Sequence, residues 1–108
     1  MESVALTEAV FYILLSLDSP MHGYGIMQNT EQLSGGRVHL AAGTLYGALN
    51  TLLEKGWIQA LPGSGRKKEY QLTDTGRQMV RAELCRLREL LENGLRITEG
   101  WSDDKGYL

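Results

Sequence analysis

Two clusters of residues in this chain combine hydrogen-bonding or charge chemistry with a usable spacing. In the run from Ala41 to Ile58, residues Gly43, Gly47, Asn50, Thr51 and Glu54 recur on one side of a helix, with Thr44 and Tyr46 on its two flanks. Further along, Arg66, Lys67 and Lys68 are consecutive within a glycine-rich stretch. Short polar side chains and one aromatic hydroxyl on a helix suit the base edges of a major groove, and asparagine can pair with adenine. A basic, glycine-rich tip suits phosphates or a narrow minor groove. Each cluster also has an ordinary reading: the glycines could accept a neighbouring helix, and the bases could decorate a solvated hairpin tip.

The elements that must hold these clusters follow from hydrophobic period and punctuation. Leu45, Leu49, Leu52 and Leu53 line the opposite side of the central helix and make it a core element. Two glycines in that helix each cost about 0.5–1 kcal/mol relative to alanine, so the outer face is expected to admit something close. After Gly56 the period changes to two. Residues 57–61 and 68–72 read as strands of a hairpin, joined by a turn-rich segment of residues 62–67. A hairpin directly after a recognition helix is a wing. The tip lacks a phosphate-loop pattern and is followed by a strand, so a nucleotide site is not expected there.

Upstream, Thr7 to Asp18 reads as a buried first helix, with Ala9, Val10, Ile13, Leu14 and Leu17 at helical spacing and Ser19-Pro20 ending it. The stripe is wide, and Val10 and Leu14 are assigned to a dimer surface. A second helix is expected from His22 to Leu33, with Ile26, Met27, Thr30 and Leu33 inward and Ser34-Gly35-Gly36 closing it. Tyr24 on this helix either reaches a phosphate or caps the core; His22 is a phosphate contact or a helix-start residue. Arg37 to Leu40 is a short link that could add one bridge to the sheet, and Arg37 reaches a phosphate or nothing.

Downstream, Thr73 or Asp74 caps a long helix from Asp74 to Ile97. Val80, Leu84, Leu87 and Leu91 alternate spacings of four and three, the seam of a coiled coil, which requires a partner. Glu83 is assigned to the polar remainder of that helix and Cys85 to a half-buried position. The organisation expected is a winged helix-turn-helix over residues 1–73, a dimerisation helix over 74–98 and a flexible tail over 99–108, in which Trp101 either folds back or stands exposed. The fold class is mainly α with a small β-hairpin.

Gly43-Thr44-Leu45-Tyr46, followed by Leu49, Leu52, Glu54-Lys55-Gly56 and Ile58, resembles the third helix of the PadR-like transcriptional regulators. His22-Gly23-Tyr24-Gly25-Ile26 and the stretch from Arg66 to Arg77 resemble two further blocks of that family, in the same order. The short remainder is similar to the subfamily with one C-terminal helix. This resemblance implies a homodimeric repressor that binds double-stranded DNA and answers to a small hydrophobic effector held in an apolar cavity at the dimer interface, helped by a tryptophan. The corresponding helix here offers Leu84, Cys85, Leu87 and Leu91 with no aromatic, so stacking on a planar compound is not supported.

The net charge of −2 opposes nucleic-acid binding in its sum but not in its distribution. Residues 1–34 hold four acids and no lysine or arginine, residues 35–81 hold seven bases against three acids, and residues 82–108 hold four bases against six acids. Positive charge is gathered around the candidate recognition helix and wing, which is compatible with a polyanionic partner. One cysteine excludes an intrachain disulfide, and two isolated histidines have no metal-ligand spacing, so no metal and no cofactor are expected. No nucleophile–base pair or carboxylate dyad supports an enzyme. No apolar run approaches a membrane span and the N-terminus lacks a basic signal region, which makes the cytoplasm the expected location. The DNA contacts expected are Tyr24, Thr44, Tyr46, Asn50, Arg66, Lys67 and Lys68; the dimer contacts are Val10, Leu14, Val80, Leu84, Leu87 and Leu91. The alternative function is a winged-helix adaptor that dimerises and binds protein rather than DNA, favoured by the acidic first third and opposed by the wing bases.

Overall fold

The computed structural model describes residues 5–62 and 67–101. The elements in order are α1 (Glu8–Ser16), β1 (Met21–His22), α2 (Gly23–Leu33), α3 (Ala42–Glu54), β2 (Ile58–Pro62), β3 (Lys68–Leu72) and α4 (Asp74–Thr98). The sheet has the order β1-β3-β2 with both pairings antiparallel. Helices α1, α2 and α3 form the core with the inner face of the hairpin. Ile13, Leu14, Leu17, Ile26, Leu45 and Leu49 are completely buried, and Leu52, Ile58, Tyr70 and Leu72 nearly so. Burial of each such side chain stabilises by about 1.5–3 kcal/mol, so the leucine spacing in α3 accounts for where that helix docks.

Local chemistry fixes the element boundaries. Thr7 caps α1 by accepting from the Val10 N–H at 3.1 Å, and Thr73 caps α4 by accepting from the Gly76 N–H at 3.1 Å. The Thr73 hydroxyl also donates to the Gly56 carbonyl at 2.6 Å, and its N–H donates to the Trp57 carbonyl at 3.0 Å. These bonds clamp the end of α3 to the start of α4. Gly76 lies at this crossing, where a β-carbon would collide with the Trp57 carbonyl. The Leu17 carbonyl accepts from the Leu72 N–H at 2.9 Å and ties the end of α1 to β3. Between the first two helices, Ser16 donates to the Tyr12 carbonyl and accepts from the Asn29 amide at 2.9 Å.

Several expectations change. The third strand comes from Met21–His22, paired with Tyr70 and Glu69, and not from residues 37–40. The latter segment is held elsewhere: the Val38 N–H donates to the Ser34 hydroxyl at 2.9 Å and the Arg37 N–H to the Ser34 carbonyl. Leu33, read as inward, is exposed, and Leu53 is only half-buried. Arg37, free in the sequence reading, pairs with Glu8, its Nε donating at 2.9 Å. Cys85 is exposed. Glu83, expected on the polar surface, is 2% exposed.

The root of α4 is docked and the remainder is not. Gly76, Met79, Val80 and Glu83 are its buried residues, and Glu83 is the last of them. Val80 therefore belongs to the chain's own core, as does Leu14, and neither presents surface to a second copy; the apolar type of a residue does not distinguish burial within a chain from burial between chains. Val10 is half-buried. Beyond Glu83 the apolar residues Leu84, Leu87, Leu90, Leu91, Leu95 and Ile97 are 39–68% exposed. No described helix is long and apolar enough to cross a membrane.

Candidate nucleic-acid interface

Helix α3 turns Leu45, Leu49 and Leu52 inward, and this rotation sends Gly43, Thr44, Gly47, Asn50 and Thr51 to solvent. Apart from the helix's own adjacent backbone, no described residue lies within 4 Å of a β-carbon built at Gly43 or Gly47. The glycines therefore do not accept a neighbouring helix of this chain, and the outer face of α3 is open along its length. Thr51 donates its hydroxyl to the Gly47 carbonyl at 3.2 Å, whereas Thr44, Asn50 and Glu54 are exposed and make no side-chain hydrogen bond or ion pair among the described residues. The N-cap residue, Ala41, offers no side-chain cap. The first-turn N–H groups of α3 thus keep their preference for an external anion or water.

Tyr46 behaves differently from Thr44 and Asn50. It is 47% exposed, yet its hydroxyl lies against Gly23, where a β-carbon would collide with it. Gly23 is thus the close approach that lets the Tyr46 ring lie across the start of α2. Burial pushes the Tyr70 hydroxyl above its ordinary pKa, with proximity to Tyr46 adding to the effect. Tyr46 thus rests its hydroxyl against the start of α2 while nearly half of the residue stays exposed.

Tyr24 is 62% exposed in the first turn of α2, and its hydroxyl accepts from the Gln28 amide at 3.2 Å. It does not cap the core. Gln28 was not singled out from the sequence, although its i, i+4 spacing from Tyr24 was the available signal. His22 is the cap of α2: its Nδ1 accepts from the Gly25 N–H at 3.3 Å.

Lys68 is exposed at the start of β3, opposite Pro62, and Lys67 is exposed just before it. Arg66 lies outside the described residues. Two of the other central bases are neutralised across the fold, while Arg81 on α4 is exposed and enters no ion pair among the described residues. Arg37 pairs with Glu8, and Arg77 pairs with Asp18 at 3.0 Å. The Glu8 carboxylate raises the Arg37 pKa, first by hydrogen bonding and then by charge. Lys55 lies over the Trp57 ring at 5.3 Å. Among the described residues Lys67 and Lys68 enter no ion pair, so free positive charge remains on the wing beside α3.

Residues 11–82 match the transcriptional regulator PadR-like family. A curated relative, an uncharacterized 37.1 kDa protein in a transposon of Streptomyces fradiae, is 35% identical over 102 residues; the match covers 94% of this chain and 28% of that protein. This chain therefore spans little more than a quarter of that relative's length. Among solved structures, a PadR family transcriptional regulator from Eggerthella lenta superposes with a TM-score of 0.70 at 23% identity, over 84% of this chain and 81% of that one. Bacillus subtilis PadR in complex with operator DNA superposes with a TM-score of 0.58 at 25% identity, over 70% of this chain and 45% of that one. With the family match spanning most of α1, all of α2 and α3, the hairpin and the first turns of α4, the chain belongs to the transcriptional regulator PadR-like family.

Proposed function

We propose that this regulator is a homodimeric repressor that binds an inverted-repeat operator and is released by a small-molecule effector. The observation that carries the DNA-binding part is the outer face of α3: Gly43 and Gly47 leave it open, and Thr44 and Asn50 project from it without internal partners. In this reading Thr44 and Asn50 meet base edges, with Asn50 pairing to adenine. Tyr46 lines the groove wall from its anchored position. Tyr24, Lys67 and Lys68, with Arg66, hold the phosphates. The crystallised B. subtilis relative bound to operator DNA supports this reading, as does the unneutralised wing.

Dimerisation is supported by the exposed Leu84, Leu87 and Leu91 on a helix already attached to its own domain at the root. Two copies joined there present two recognition helices, and a two-fold protein reads an inverted repeat. An effector that enters between the long helices alters the separation of the two heads and releases the operator. Leucines line that seam, so the effector is hydrophobic and is not held by aromatic stacking.

Selection of bound duplexes from a random DNA pool, repeated across salt concentrations, tests this. An enriched inverted repeat whose affinity falls steeply with salt is expected. No enrichment at low salt with the dimer intact would assign the chain instead to a protein-binding adaptor, the reading favoured by neutralisation of Arg37 and Arg77.

A further inference from the structure

The chain places one carboxylate at the boundary between its docked and free parts. Glu83 is 2% exposed, and the Arg86 side chain that faces it is 27% exposed. Arg86 Nε donates to Glu83 Oε1 and Nη2 to Oε2, both at 2.7 Å, a two-point fork. The backbone N–H of Leu6, just before α1, donates to Oε2 at 3.2 Å. One side chain thus joins the N-terminal segment to the last buried turn of α4.

A buried ion pair adds little net stability over an apolar pair of the same volume, but its bonds have direction where apolar contacts have none. Direction matters here because of leverage. Residues 84–98 extend beyond this point for about 22 Å at 1.5 Å per residue. A tilt of about 10° at Glu83 moves the far end of that arm by roughly 4 Å, and one base pair of DNA rises about 3.4 Å.

We infer that Glu83 is a positioning residue: with Arg86 and the Leu6 N–H it fixes the angle between the winged domain and α4, and so sets the half-site spacing that the dimer accepts. The spacing part rests on the proposed dimeric, operator-binding reading; the angular part belongs to one chain and is independent of it.

The test therefore has two arms on the same proteins, Glu83→Met and Glu83→Gln. In the first, spin labels at Gln59→Cys on β2 and Glu92→Cys on α4, in a Cys85→Ser background and diluted with unlabelled chain, report the head-to-arm distance within one chain. A narrow distribution is expected with Glu83 present, at least doubling in width with Met and broadening less with Gln. In the second, operators with half-sites moved by one base pair either way are compared with the selected spacing. Glu83 is expected to discriminate by tenfold or more, and Glu83→Met by no more than about twofold, with the dimer retained. Circular dichroism identifies folded variants; if Met at this position prevents folding, Glu83→Gln decides alone. An unchanged distance distribution in a folded variant overturns the inference. A broadened distribution with unchanged spacing preference overturns its specificity part. A broadened distribution in a protein that selects no operator leaves Glu83 as the angular lock and overturns the operator reading instead.

Discussion

The outer face of α3 and the outer half of α4 are both open, and they are open in opposite ways. On α3 the exposed positions include Gly43 and Gly47, where a β-carbon would meet open space, and the short polar groups Thr44, Asn50 and Thr51. On α4 they include the apolar Leu84, Leu87, Leu90, Leu91, Leu95 and Ile97, set among exposed charged residues such as Arg88, Glu89 and Glu92. Water serves the first surface well, so its partner must compete with solvent through hydrogen bonds and charge and can leave again. Water serves the second poorly, and each leucine covered there gains about 25 cal/mol per Å². The contrast accords with the proposed reading, in which a reversible polar partner meets α3 and a second copy covers the apolar side of α4.

The largest effect should come from the apolar surface. Replacing Leu87 and Leu91 with Glu places charges in the proposed seam, at a cost of about 3–5 kcal/mol for each charge left buried and unpaired. Sedimentation should show the mass of one chain at concentrations where the natural sequence gives two, with the dissociation constant raised more than a hundredfold. The thermal midpoint of the winged domain should move little, because its core does not use these residues. A variant that stays dimeric would remove α4 from the interface and end the contrast.

Next in size are two changes on α3 that separate stability from recognition. Asn50→Ala should weaken operator binding by about 1–3 kcal/mol, with the discrimination lost at the adenine that Asn50 reads. Gly47→Ala meets open space, so the helix should gain about 0.5–1 kcal/mol from lost backbone freedom in the unfolded chain. Operator affinity should nevertheless fall, because the added methyl occupies the approach path. A stabilised protein with undiminished affinity would show that the open face is not where DNA lies.

How far these surfaces were legible in the sequence depended on whether a residue's partner was local. Leu45, Leu49 and Leu52 and the second wing strand carry their signal within a few positions and stand where the pattern puts them; the first strand lies one residue later, Leu53 is half-buried, and of the two cap candidates Thr73 is the one that caps. Strand β1 was missed because two residues have no period; its pairing is visible only once Tyr70 and Glu69 are beside it. Glu83 was assigned to the surface because a Glu–Arg pair three residues apart reads the same on an exposed or a buried face; the Leu6 N–H that betrays burial is 77 residues away. Val80 was sent to a dimer contact because the pattern of a seam continues unbroken into the docked root of α4, and Leu14 because the apolar stripe of α1 is wider than a three-helix core needs, although the core buries Leu14 completely. In the candidate interface, the open rotation of α3 was readable and the anchoring of Tyr46 on Gly23 was not, since it joins two helices.

A smaller effect separates the root of α4 from its free half by pH. The Arg86 hydrogen bonds hold the Glu83 carboxyl below its ordinary pKa, aided by the Leu6 N–H and opposed by desolvation. The unfolded chain therefore takes up this proton first as pH falls. The stabilisation is fully present above the unfolded value, near 4.5, and declines as pH falls from there through the folded value. Thermal melts of the natural chain should lose stability over that range, and Glu83→Gln should show a shallower slope while being no more stable at pH 7. Equal slopes would mean that the carboxylate is not tied to the fold.

The smallest predicted change is the one that reads both surfaces with a single variable. Raising salt should weaken operator binding steeply, since displaced counterions return to the phosphates, and should leave the leucine seam nearly indifferent or slightly tighter. Lys67 and Lys68 are exposed and outside any ion pair among the described residues, so each is free to neutralise one phosphate. Lys67→Ala should therefore reduce the slope of log affinity against log salt by about 0.9, and Lys68→Ala should do the same. Neither should alter the dimer dissociation constant, because α4 carries no part of that charge. The two lysines together should remove about twice the slope of either alone, as independent counterion sites do. Loss of affinity with an unchanged slope would mean that the wing acts through shape and not charge, and the polar side of the contrast would then rest on α3 alone.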